Sequence, residues 1–84
     1  MTEDQANALK KALQQQFGGD VEAEPVNGQG RYRFAIVSAS FEPMTHLERQ
    51  DAIWQVVDRV LPREATLDVS LILALTPGEL TPAD

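Results

Sequence analysis

The stretch from Tyr32 to Glu79 constrains the fold most, because two alternating apolar runs flank an amphipathic helix whose start and stop are both encoded. Thr45 with Glu48 makes a capping box, in which a hydroxyl and a carboxylate satisfy the free backbone donors of a first helical turn. Ile53, Val56, Val57, Val60 and Leu61 then recur at helical spacing, with Glu48, Asp51, Gln55, Asp58 and Arg59 on the wet side. Pro62 cannot continue a helix, so the spacing predicts one from about His46 to Leu61. Before it, Arg31 to Ser38 alternates as a strand, with Tyr32, Phe34 and Ile36 on one face and Arg31, Arg33, Ala35 and Val37 on the other. After it, Leu67, Val69, Leu71, Leu73 and Leu75 alternate with Asp68, Ser70, Ile72 and Ala74. The leucine-rich set is expected in the core, with Leu71 at its centre. Strand-helix-strand units almost always close right-handed, which makes these two strands parallel.

The residues upstream add a helix and a hairpin. Thr2 with Gln5 is a capping box, Glu3 and Asp4 suit the positive end of the helix dipole, and Ala8, Leu9, Leu13 and Phe17 form a stripe. Gly18-Gly19 stops this helix, expected over residues 3–17. A short strand from Val21 to Pro25 leads through turn residues Asn27-Gly28-Gln29-Gly30 into the second strand as an antiparallel hairpin. Phe41 to Met44 reads as an irregular connector, Thr76-Pro77-Gly78-Glu79 as a turn or single helical turn, and Leu80 to Asp84 as a loose tail. The order helix, strand, strand, helix, strand predicts a two-layer α+β sandwich with a mixed three-stranded sheet. Both helices cover the Tyr32, Phe34, Ile36 face and leave the other open.

A chain of 84 residues supports one domain, here 1–84 with an ordered core of about 3–79. At this size a chain buries only about 60 to 65% of its unfolded surface, so a deep active-site cavity is not expected. The absence of cysteine excludes disulfides, thiolate metal sites and cysteine nucleophiles. The polar, acidic N-terminus and the lack of a long apolar run point to a cytoplasmic protein. A net charge of -6 disfavours general nucleic-acid binding, with Arg31 and Arg33 the candidates for a local basic patch.

Few residues invite chemistry. His46, the only histidine, is expected as an exposed helix-start residue, and a lone histidine without cysteine makes a poor transition-metal site. Glu22 and Glu24 share a face, but calcium needs six or more oxygens. Ser38, Ser40 and Ser70 lack an activating base, and no nucleophile elbow is present, so no catalytic residue is assigned. Trp54 is expected to pack partly buried beside the core. The open sheet face is the more informative surface: Arg31 and Arg33 beside Asp68 and Ser70, next to the small apolar residues Ala35, Val37, Ile72 and Ala74. Such a strip rimmed by charge suits a protein partner or weak self-association.

In order and spacing, SASFEPMTHLERQDAIWQVV followed by LTPGEL resembles the BolA-like family. Its pattern is matched at Ser38, Phe41, Glu42, Thr45, Arg49, Trp54, Thr76, Pro77 and Glu79. The resemblance implies a non-enzymatic module associated with stress response and cell shape. It also implies partnership with monothiol glutaredoxins around a shared 2Fe-2S cluster and, in some members, DNA binding. It places Arg49, Asp68, Thr76 and Glu79 at an inherited partner surface. Where the family offers the cluster a histidine, eight residues before the threonine of Thr-Pro, this chain has Asp68, and carboxylate is a harder, poorer ligand for such iron. The hairpin from Pro25 to Gly30 has no second ligand, and Gln50 replaces a further histidine. The expectation is a protein-binding module without a cofactor, as a monomer or weak homodimer. The alternative is a nucleic-acid-binding module on a KH-like fold, although the Gly-x-x-Gly loop that clamps backbone there is missing.

Overall fold

Both capping boxes form and set the two long helices. Thr2 accepts from the Gln5 amide at 3.1 Å while Gln5 Oε1 accepts from the Thr2 amide at 2.9 Å, opening α1 (Glu3–Phe17). Thr45 and Glu48 repeat the exchange at 3.1 and 2.8 Å to open α2 (His46–Val60). The computed structural model describes residues 1–26 and 30–80. Between the helices lie β1 (Asp20–Val26), β2 (Arg31–Val37) and a 3-10 turn at Ala39–Phe41; after them come α3 (Arg63–Thr66), β3 (Val69–Leu75) and α4 (Pro77–Leu80). The sheet runs β1-β2-β3, antiparallel and then parallel. The fold is thus the two-layer α+β sandwich expected: the single helical turn foreseen at Thr76-Pro77-Gly78-Glu79 forms as α4 and takes in Leu80, expected in the tail, and only the one-turn helix α3 is additional. Asn27, Gly28 and Gln29 of the expected hairpin turn and residues 81–84 of the expected tail lie outside the described residues.

The end of α1 is fixed by side chains of the segment after β2. The Phe17 carbonyl accepts from Ser38 Oγ at 2.6 Å and from Ser40 Oγ at 2.8 Å. Gly19 then passes so close to β2 that a Cβ there would stand 2.1 Å from the Val37 carbonyl oxygen, at φ +74°. Only glycine fits such an approach. Phe17 also stacks on Phe41, ring centroids 5.1 Å apart, which ties the helix end to the connector.

The core lies between the helices and one sheet face. Leu9, Leu13, Phe34, Ile36, Phe41, Ile53 and Val57 are fully buried, and Trp54 packs partly buried at the margin. In α1 the stripe is Ala6, Leu9 and Leu13; Ala8, expected in it, is exposed, because 100° per residue carries position 8 off the line through 6, 9 and 13.

The facing of β3 departs from expectation. Val69 points inward, but Ile72 and Ala74 are buried at 4% and 6% while Leu71 and Leu73 are 47% and 44% exposed. Leu67 precedes the strand and is exposed. The cause is a bulge. Tyr32 pairs with Val69 and the next residue, Arg33, pairs with Leu71, so Ser70 has no partner and the parity of the strand reverses. Ile72 then faces inward beside Phe34, and Ala74 beside Ile36. Leu71, expected at the centre of the core, and with it Leu73 and Leu75, stands on the open face.

Candidate functional site

The residues expected at a partner surface divide between the two ends of β3. At its C-terminal end Thr76 and Glu79 form a third capping box: the Glu79 amide donates to Thr76 Oγ1 at 3.1 Å and the Thr76 amide to Glu79 Oε1 at 2.9 Å. Arg49 reaches this box from α2. Its Nη1 and Nη2 donate to the two Glu79 oxygens at 2.7 and 3.3 Å, and Nη1 also to the Ala74 carbonyl at 3.1 Å. Its Nε donates to the carbonyls of Phe41 at 3.1 Å and Met44 at 3.2 Å, and the guanidinium carbon lies 5.8 Å from the Phe41 ring centre.

Arg49 and Thr76 are buried, and the Glu79 side chain is 38% exposed. The hydrogen bonds from Arg49, helped by the Thr76 amide, hold the Glu79 carboxyl down to about 2 from 4.5. Arg49 therefore works as a clamp for the connector, β3 and α4, and Glu79 is the acceptor this corner shows to solvent.

Asp68 sits at the other end, before β3 begins, so it lies roughly 25 Å from Thr76 at the rise of an extended strand. Its carboxylate pairs with the amino group of Met1, which also donates to the Gly30 carbonyl at 2.8 Å. Arg31, exposed at the start of β2, is on this side of the molecule. Arg33 pairs with Glu24 of β1 at 2.6 Å. Among the described residues no ion pair joins these arginines to Asp68, which is engaged by Met1, and the bulge places Leu71 beside Arg33.

These positions do not suit an iron-sulfur cluster. The residue at the histidine position is a carboxylate, a harder and poorer donor for such iron than imidazole, and His46 lies at the Glu79 corner, where its charge helps lower the Glu79 pKa. Among the described residues no three His, Cys, Asp or Glu side chains gather as a metal site. Ser38 and Ser40, weighed as nucleophiles, spend their hydroxyls on the end of α1.

Two features escaped the sequence reading. Gln50 Nε2 donates to the Ile72 carbonyl at 2.9 Å, so Gln50 and Arg49 together occupy acceptors of β3. The sequence marked Gln50 only as standing in place of a histidine beside Arg49, not as a donor to β3. The other is the composition of the open face, which the bulge changed. Its rungs read Glu24-Arg33-Leu71, Glu22-Ala35-Leu73 and Asp20-Val37-Leu75 across β1, β2 and β3. The uninterrupted apolar run Leu71 to Leu75 carried the signal, because it is greasy on both faces whichever way it is phased.

No protein-family model matches the sequence, and no curated protein matches it. Solved structures do. BolA1 from Arabidopsis thaliana aligns at a TM-score of 0.71 and 20% identity over 96% of this chain and 100% of that one. The BolA domain of SufE1 from Arabidopsis thaliana gives 0.72 and 20% over 95% and 100%. BolA1 from Mus musculus gives 0.67 and 24% over 92% of this chain and 68% of that one. The chain has the BolA-like fold.

Proposed function

We propose that this BolA-like chain is a small, non-enzymatic protein-binding module, with a monothiol glutaredoxin as its first candidate partner and no iron-sulfur ligation of the usual kind. The observation that carries the reading is the likeness to three BolA structures over more than nine-tenths of the chain. In this reading a partner touches Glu79 at one end of β3 and Asp68 with Arg31 at the other, while Arg49 and Thr76 hold Glu79 in place from within. Arg33 contributes at the sheet face. A cytoplasmic setting and a regulatory part in stress response belong to the same reading; no described helix is long and apolar enough to cross a membrane. A nucleic-acid role has less support, because the sheet face carries Asp20, Glu22 and Glu24 in a row and the net charge is -6.

An amide NMR titration of labelled protein with the host's monothiol glutaredoxin, first without iron and then cluster-loaded, tests the proposal. Shifts at Asp68, Arg31 and Glu79 in both titrations are expected. Silence in both removes glutaredoxin as the partner. Shifts only with the loaded form, together with cluster absorbance transferred to this chain, would overturn the view that Asp68 ends ligation.

A further inference from the structure

Three rungs of the open sheet face share one layout: an acidic residue on β1, Arg33, Ala35 or Val37 on β2, and a leucine on β3. Leu71 and Leu73 are 47% and 44% exposed, Leu75 is partly so, and a groove of about 300 Å³ runs between Asp20, Glu22, Ala35, Val37, Leu73 and Leu75. Arg33 neutralises Glu24. Asp20 and Glu22 are exposed and have no basic partner among the described residues. Parallel strand pairs are ordinarily covered on both faces, and the pair β2-β3 here is covered on one.

We propose that this face is a docking surface for a basic amphipathic helix of a partner protein, with its apolar stripe on the Leu71, Leu73, Leu75 row and its lysine or arginine flank over Asp20 and Glu22. The reading of the chain as a protein-interaction module is the ground for this, and the inference adds the chemistry of a partner. Dimensions match. Two strand spacings separate the leucine row from the acidic row by about 10 Å, which is about one helix diameter. The leucine row is roughly 13 Å long, a length that about nine helical residues span.

Charge decides between occupants. In a face-to-face pair of two copies, the acidic row lies either over its like or over the other copy's leucines. The first arrangement repels and the second desolvates carboxylates without partners. An anionic membrane or a nucleic acid meets the same row and is repelled. An added strand is disfavoured as well, since Arg49 and Gln50 already take the Ala74 and Ile72 carbonyls.

The test is a titration of labelled full chain with a synthetic leucine-lysine amphipathic helix, beside a scrambled peptide of equal composition and a leucine-glutamate analogue. Saturable amide shifts confined to Asp20, Glu22, Ala35, Val37 and residues 71–75 are expected with the first peptide alone. Leu73→Asp and, separately, Asp20→Asn with Glu22→Gln should each weaken binding about tenfold, the second pair also flattening its salt dependence. Circular dichroism and melting of the variants verify that they fold. Equal binding of the scrambled peptide, or shifts away from this face, overturns the proposal. So does a dimer in sedimentation that Leu73→Asp dissolves, or binding to anionic vesicles that the same change abolishes. A response to the peptide with silence toward glutaredoxin upholds this inference and removes that partner; the reverse result removes the inference alone.

Discussion

Arg49 is 4% exposed and donates to the carbonyls of Phe41, Met44 and Ala74 as well as to the Glu79 carboxylate. Arg49→Met fills the space but leaves those acceptors without their donor, and an unsatisfied buried group costs about 1 to 3 kcal/mol. A loss of about 3 kcal/mol in urea unfolding is expected, and Arg49→Lys should recover only part of it because an ammonium lacks the planar fork. Glu79 adds a pH signature. Its carboxyl is lowered in the folded state from 4.5 to about 2, so its contribution is complete above pH 4.5, fades as pH falls toward 2 and is absent below. Comparing urea midpoints of the wild type and Glu79→Gln across that window should show a gap at neutral pH that closes by pH 2; a pH-independent gap would show that the ionised carboxylate is not what matters. Thr76, Glu79 and Arg49 were each legible as matched positions. Their mutual clamp was not, because Arg49 and Glu79 are remote in sequence and only the return of β3 beside α2 brings them together.

At the scale of elements, helices were read more securely than the last strand. Capping boxes are local, so Thr2 with Gln5 and Thr45 with Glu48 declared α1 and α2 without knowledge of the rest of the chain. Strand pairing and direction followed from the turn residues between β1 and β2 and from the helical crossover between β2 and β3. The phase of β3 did not, since Leu71 to Leu75 is apolar at every position and period-two contrast vanishes there. The bulge at Ser70 is a tertiary decision. It yields a paired expectation: Ile72→Ala should cost about 3 kcal/mol, as truncation of a buried branched side chain does, and Leu71→Ala less than about 1 kcal/mol, as for an exposed position. Chemical denaturation of the two variants side by side measures this directly. The reverse order of costs would put the leucines in the core.

For the molecule as a whole, one continuous core joins α1, α2 and the sheet, with no satellite cluster among the described residues. A core shared by all these elements is expected to unfold in one cooperative step. Trp54 on α2 is the only tryptophan, so its fluorescence reports on one element while far-ultraviolet circular dichroism reports on all. The two midpoints should coincide in the wild type and shift together in Leu13→Ala on α1 and Ile72→Ala on β3. Separate midpoints would show that the hairpin or α1 comes away independently.

Ser70 stands opposite no residue of β2 while its neighbours Val69 and Leu71 pair with consecutive positions. Removing it would splice Val69 directly to Leu71 and yield a regular ladder in which every remaining side chain of β3 keeps the face it has now. The strand is therefore one residue longer than its pairing needs. Sequence distance along it overcounts spatial distance by one, so an equivalence made by counting back from Thr76 to Asp68 holds only against chains that carry the same extra residue. Lineages that shed or gain it would shift every upstream correspondence by one place while leaving the core intact.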